Sequence, residues 1–454
     1  MIDIETVVIA AVGVGLGSWW LLRLLQRSRP ELGIARAVAV GYGLRLASIA
    51  LVSATGVGSQ LRGGDEIPYV AQAHQIAATP WFSAAWTPKF SLAGTNNLHV
   101  ILFAIQVKAL HFGWGALRIT QAGIAMAGAL LIIAAVYDLG GPRAARLAAW
   151  LAAVEPTNVF FGGTLLKEPL LDFAIGLVIF GGARLWRRLD LTGAAIVSVG
   201  CLIAVFDRGY AGFLLIGGVV LLLLHAAVRH ARGRVQAIPV AVAVLIGVVL
   251  VSPAALRAVS KEQGQLVSSQ NANTLVSAAP SVAGEAGRPN GNNLALEPVN
   301  FSSRTAIIEN LPLRIRDLLV KPYPWQLGDW SQRLGAIGDL IAIALLLLLI
   351  RYAWRSRGSF FRLSAPLLYP LVVLTIAFSL SVGNAGTGFR YRAHLLIPSI
   401  GIIATLWAAR HARAVVPSAK NLWMGRPGKR SRRQVGLLGL AGTGADVSAG
   451  GSDA

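Results

Sequence analysis

Asp65 and Glu66 stand side by side in the stretch RGGDEIPY, where a long apolar run ends. A carboxylate at the boundary between hydrocarbon and water can take a proton from a substrate hydroxyl while another part of the substrate stays in lipid. Gly63 and Gly64 free the backbone to turn at that point. Neighbouring residues on a helix or turn point in different directions, so the sequence leaves open which carboxylate acts. The same pair also suits a helix N-terminus, where acidic residues favour the dipole by about 0.3–1 kcal/mol.

A second charged pair, Lys167 and Glu168, follows FFGGTLL, with Pro169 suited to a first helical turn. Glu168 reads as a second carboxylate on the same face and Lys167 as a phosphate partner. The competing reading is an interfacial pair worth under about 1 kcal/mol. Arg208 in DRGYAG, and Arg390 and Arg392 in GTGFRYRAH, fall at ends of apolar runs. A guanidinium grips phosphate oxygens as a planar fork, whether of a substrate or of ordinary headgroups. Arg45 and Glu155 lie inside apolar runs. An isolated charge there costs about 2.5–3.5 kcal/mol, so each is expected to be paired, protonated or turned to a polar cavity.

His74, His99, His111 and His394 show no metal-ligand spacing, so no metal site is expected. Asp65 with Glu168 could hold a divalent cation through oxygen, on the slender support of two carboxylates. No cofactor is required by the chemistry. Walker, dinucleotide and GxSxG motifs are absent from the sequence. Cys201 is the single cysteine, which excludes an internal disulfide.

These residues are set in a chain that is 55% apolar and 13% charged, outside the range of soluble globular proteins. The pattern predicts an all-α polytopic membrane protein with about eleven spans. They fall near 5–25, 34–57, 118–137, 144–162, 168–184, 193–206, 211–228, 235–252, 334–351, 364–382 and 393–410. The acidic start MIDIET reads as the front of a retained helix and not of a signal peptide. Arg- and Lys-rich short loops and the basic tail belong on the cytoplasmic side, which sets the N-terminus outside and the C-terminus inside. That topology accounts for the net charge of +21 without nucleic acid.

Five parts follow: an extra N-terminal helix (1–33), a transmembrane module (34–252) with a first outer loop (58–117), a long outer loop (253–333), C-terminal spans (334–410) and a basic, then disordered tail (411–454). Segment 98–112 is expected as an interfacial helix, with Trp81, Phe82, Trp86 and Trp114 as headgroup-level anchors. The region 304–321, with Arg314, Arg316 and Lys321 among apolar residues, reads as a helix lying on the membrane.

The acidic pair after a span, the outer loop and the stretch GGPRAARLAAWLAAVEPTNVFFGGTLLKEPLLDFAIGLVIF resemble the GT-C superfamily of membrane glycosyltransferases, in particular bacterial relatives of the protein mannosyltransferases. The resemblance covers residues 35–230. It implies a GT-C-like helical bundle that moves a sugar from a polyprenyl-phosphate donor to a glycan, lipid or protein acceptor outside the cell membrane. By the same resemblance Asp65, with Glu66 beside it, is the catalytic acid of the first outer loop. Glu168 matches the second acidic motif, here Lys-Glu in place of a plain acidic pair, and Arg208 the later arginine turn. Loop 253–333 with GTGFRYRAH also resembles O-antigen polymerases and ligases, which use diphosphate-linked donors. A transporter or flippase for lipid-linked saccharides is the alternative from another class, and predicts charges deep in several spans.

Overall fold

The computed structural model describes residues 4–56, 65–89, 97–231, 296, 299, 303–323, 330–382 and 385–415. Gly63, Gly64, the expected span at 235–252, most of the long outer loop and the tail beyond 415 lie outside the described residues. Among the described residues there are thirteen α-helices and no strand. They are α1 (Ile4–Ser28), α2 (Ala35–Thr55), α3 (Glu66–Ala78), α4 (Leu98–Leu110), α5 (Trp114–Val154), α6 (Pro156–Gly162), α7 (Glu168–Arg187), α8 (Leu191–Asp207), α9 (Gly209–Ala231), α10 (Arg304–Val320), α11 (Trp330–Arg355), α12 (Phe360–Ser381) and α13 (Ala385–Val415).

Eight of these, α1, α2, α5, α7, α9, α11, α12 and α13, are long and apolar enough to cross a membrane. Helices satisfy their own backbone polar groups, which is why apolar sequence of this length folds this way in lipid. Two shorter apolar helices, α4 and α8, accompany them. The described residues up to Arg410 form one compact unit.

The core is centred on α5 and α7. Helix α7 packs against α5 and α8, while α1 and α2 pack on α5 and α9 packs on α12. The close approach of α5 and α7 depends on glycine. A Cβ at Gly128 would lie 2.5 Å from the Asp172 carbonyl oxygen. Val8, Val12 and Leu16 on α1, and Leu340, Leu347 and Ile350 on α11, are exposed, as side chains facing lipid are.

The runs expected at 118–137 and 144–162 are separate in the structure: the helix breaks between them at Gly141, whose φ of 79° and ψ of −175° are non-helical, just before Pro142. The second run is shorter than expected. It ends at Val154, because Glu155 precedes Pro156 and is extended. Glu155 then caps α6, accepting hydrogen bonds from the backbone N–H of Thr157 (3.0 Å) and Asn158 (2.7 Å) and from the Asn158 side chain (2.6 Å). Its charge inside an apolar region is met by three donors.

Helix α10 also departs from expectation. Arg314 and Lys321 are buried against Asp317, at 3.5 and 3.4 Å, instead of lying on a membrane surface. A basic stripe at helical spacing looks the same in sequence whether it meets headgroups or an acidic residue of its own helix.

Candidate functional site

Helices α3, α7 and α13 and the α8–α9 junction bring charged residues together at one place. Asp65 is the residue just before α3, yet its side chain makes no cap hydrogen bond to that helix. Instead its Oδ2 accepts from Arg390 Nη1 of α13 at 2.9 Å. Arg390 Nε donates in turn to Glu168 Oε1 of α7 at 3.1 Å, and Arg208 Nη2 donates to the same oxygen at 3.1 Å. Glu168 is fully buried, whereas the Asp65 side chain is 50% exposed. One arginine thus links a buried carboxylate to one that meets solvent.

Lys167 precedes α7 and lies with its Nζ 5.8 Å from the centre of the Tyr69 ring. Burial, and then the positive charge of Arg208, lower its pKa to about 8. Tyr69 is pushed up to about 12 by burial and by the charge of Asp65, so its hydroxyl keeps its proton. Arg208 lies over the Tyr391 ring at 4.8 Å, and the Tyr210 and Tyr391 hydroxyls are 3.0 Å apart. The site holds three carboxylates (Asp65, Glu168, Asp207) and three cations (Lys167, Arg208, Arg390), so an anion entering it must displace or neutralise a carboxylate.

Two residues expected at the site face elsewhere. Glu66 is buried; its Oε2 accepts from Arg118 Nη2 at 2.7 Å and its Oε1 from the Leu165 backbone N–H at 2.9 Å. Arg118 also donates to Ser53 Oγ at 3.1 Å. Glu66 therefore ties α3 to α5 and to the turn before α7, and is a structural clamp. Arg392 is turned to Asp339 of α11 at 2.6 Å and to the Lys321 backbone carbonyl at 2.8 Å. Positions two apart on a helix lie on opposite sides, which separates Arg392 from Arg390.

Two carboxylate–histidine pairs lie beside the cluster that the sequence reading did not match. His99 Nδ1 is 3.1 Å from Asp207 Oδ1, and both side chains are fully buried. Burial lowers the His99 pKa, with Asp207 opposing, so the ring is neutral and Nδ1–H donates. His394 Nδ1 is 2.6 Å from Asp172 Oδ1. Asp172 is one helical turn from Glu168, and His394 one turn from Arg390, so this contact repeats the Glu168–Arg390 contact further along the same two helices. Spacing of four residues on each segment was the signal available in sequence. The His99–Asp207 contact joins positions 108 residues apart and had no such signal.

An apolar cavity of about 600 Å³ opens between α1, α4, α5, α7 and α8, lined by Val14, Leu98, Gly123, Leu170, Phe173 and Ile203 among others. Among the described residues, no group of three or more His, Cys, Asp or Glu side chains is placed to hold a metal ion. No family model, curated protein sequence or solved structure matches the chain.

Proposed function

We propose that the protein is a membrane glycosyltransferase of GT-C type, moving a sugar from a polyprenyl-phosphate donor to a glycan, lipid or protein acceptor on the outer face of the cell membrane. In this reading the chain has about eleven spans, its N-terminus outside and its C-terminus cytoplasmic. The observation that carries the proposal is the bridge through Arg390, which joins Asp65 and Glu168 across 325 and 222 residues of sequence. Carboxylates and cations gathered at one place, with an apolar cavity whose lining includes Leu170, two residues from Glu168, suit a substrate that is part lipid and part anion.

Asp65 takes the proton of the acceptor hydroxyl as that oxygen bonds to the anomeric carbon. The bond from that carbon to the phosphate oxygen breaks, and its electron pair leaves with the phosphate. A donor phosphodiester of charge −1 becomes a monoester of charge −2, while Asp65 becomes neutral. Protonated Asp65 releases Arg390, which is then free to hold the new phosphate charge with Arg208 and Lys167. Glu168 fixes both guanidinium groups throughout. Arg392, engaged by Asp339, takes no part, and this favours a monophosphate carrier over a diphosphate.

Replacing Asp65 with Asn is expected to abolish transfer in purified membranes supplied with donor, without altering folding. Full retained activity removes Asp65 from the mechanism. A second reading, a transporter of lipid-linked saccharide, draws on the buried Asp172–His394 pair inward of the cluster. It requires translocation of a fluorescent lipid-linked saccharide in proteoliposomes without acceptor, and a glycosyltransferase gives none.

A further inference from the structure

Four hydrogen-bonding atoms of the cluster and the adjoining His99–Asp207 pair are buried and have no hydrogen-bond partner among the described residues: Glu168 Oε2, Asp207 Oδ2, His99 Nε2 and Arg208 Nη1. They belong to one connected group. Arg208 donates to Glu168 through its other nitrogen, Asp207 precedes Arg208 in the chain, and His99 is held by Asp207. The Tyr69 ring meets His99 edge-on at 4.5 Å and lies beside Lys167. Buried polar atoms are ordinarily satisfied, so four in one group call for a partner.

The kinds of atom define that partner. With Nδ1–H directed at Asp207, His99 Nε2 is an acceptor, so the set is three acceptors and one donor. A phosphate has no hydrogens to give and is repelled by two carboxylates. A run of hydroxyl groups fits, because each hydroxyl donates one hydrogen bond and accepts others. Tyr69 supplies an apolar face on which the C–H side of a sugar ring rests.

We propose that His99 and Asp207, with Glu168 Oε2 and Arg208 Nη1, form a hydroxyl-reading pocket that selects the sugar of the donor. This rests on the glycosyl-transfer reading and assigns the specificity of the same site. His99 and Asp207 are its specificity-determining residues, and the phosphate lies toward Arg390 and Lys167.

The test uses the full chain in lipid nanodiscs and two probes, farnesyl phosphate and farnesyl phosphate bearing one pyranose. The wild type is expected to bind the glycosylated probe about tenfold more tightly, the scale of one or two buried hydrogen bonds. His99→Asn keeps an N–H for Asp207 but removes the Nε2 acceptor. It is expected to lose most of that preference while its affinity for farnesyl phosphate and its thermal midpoint stay unchanged. His99→Gln, which abandons Asp207, separates the structural role because it lowers the midpoint. If His99→Asn does not fold, Asp207→Asn, which turns the Oδ2 acceptor into a donor, is read by the ratio of the two affinities: loss of the preference for the glycosylated probe is expected, while its affinity for both probes rises because a site carboxylate is neutralised. Equal wild-type binding of the two probes, or an undiminished preference in the folded variant, overturns the pocket and leaves the phosphate site standing. Binding of neither probe overturns the glycosyl-transfer reading and the pocket with it.

Discussion

Glu168 is the residue on which the cluster's electrostatics turn, and a double-mutant cycle with Arg390 measures it. Its side chain is fully buried, and one oxygen takes hydrogen bonds from two guanidinium groups, each at 3.1 Å. At an effective dielectric of about 20, each contact is worth roughly 5 kcal/mol before the cost of desolvation. Glu168→Gln leaves Arg208 and Arg390 buried together, with half-exposed Asp65 as the carboxylate still paired to Arg390. Breaking a buried pair from one side in this way costs about 3–5 kcal/mol. Arg390→Met costs less, about 1–3 kcal/mol, because Glu168 keeps Arg208 and Asp65 falls back on solvent. The double variant no longer crowds two unpaired guanidiniums, so its loss is expected to fall short of the sum by about 2 kcal/mol. The assay is reversible denaturant unfolding in mixed micelles, followed by circular dichroism. Additive losses to within about 0.5 kcal/mol refute the proposed bridge.

Lys167, with its pKa lowered to about 8, binds anions as an ammonium only below that pH. Affinity for farnesyl phosphate is expected to fall as pH rises through about 8, and Lys167→Arg moves that decline to higher pH. For stability the sign is opposite. The unfolded lysine binds its proton up to its ordinary pKa of about 10.4, so between about 8 and 10 Lys167 adds stability with rising pH, and thermal midpoints across that window read it. Glu66→Gln loses the ion pair with Arg118 but keeps an oxygen for the Leu165 N–H. It is expected to destabilise by about 3 kcal/mol while binding farnesyl phosphate as the wild type does. A selective loss of binding in that variant, with stability intact, places Glu66 in the site instead.

The residues that could act were legible in sequence because lipid makes charge rare and conspicuous. Asp65, Lys167, Glu168, Arg208 and Arg390 stood out against apolar runs, and the structure gathers all five. The helical class followed from the same cause, since apolar sequence of bilayer length has one way to satisfy its backbone in hydrocarbon. Gly141–Pro142 marked the break between two expected runs, whereas the run expected at 144–162 passed through Glu155–Pro156, where the structure starts a new helix.

The role of each charge was not legible. Asp65 and Glu66 are adjacent and chemically alike, yet the turn into α3 sends one to Arg390 and the other to Arg118 and the Leu165 N–H. Arg390 and Arg392 part in the same way, on opposite sides of α13. Sequence by itself determined which groups hydrocarbon would force to find partners. Only tertiary packing, through the close crossing of α5 and α7 at Gly128 and the placement of α13 beside α7, decided which partner each found. The physical reason is range: helix formation and desolvation act on neighbouring residues, whereas an ion pair joins whatever the folded chain brings within about 3 Å.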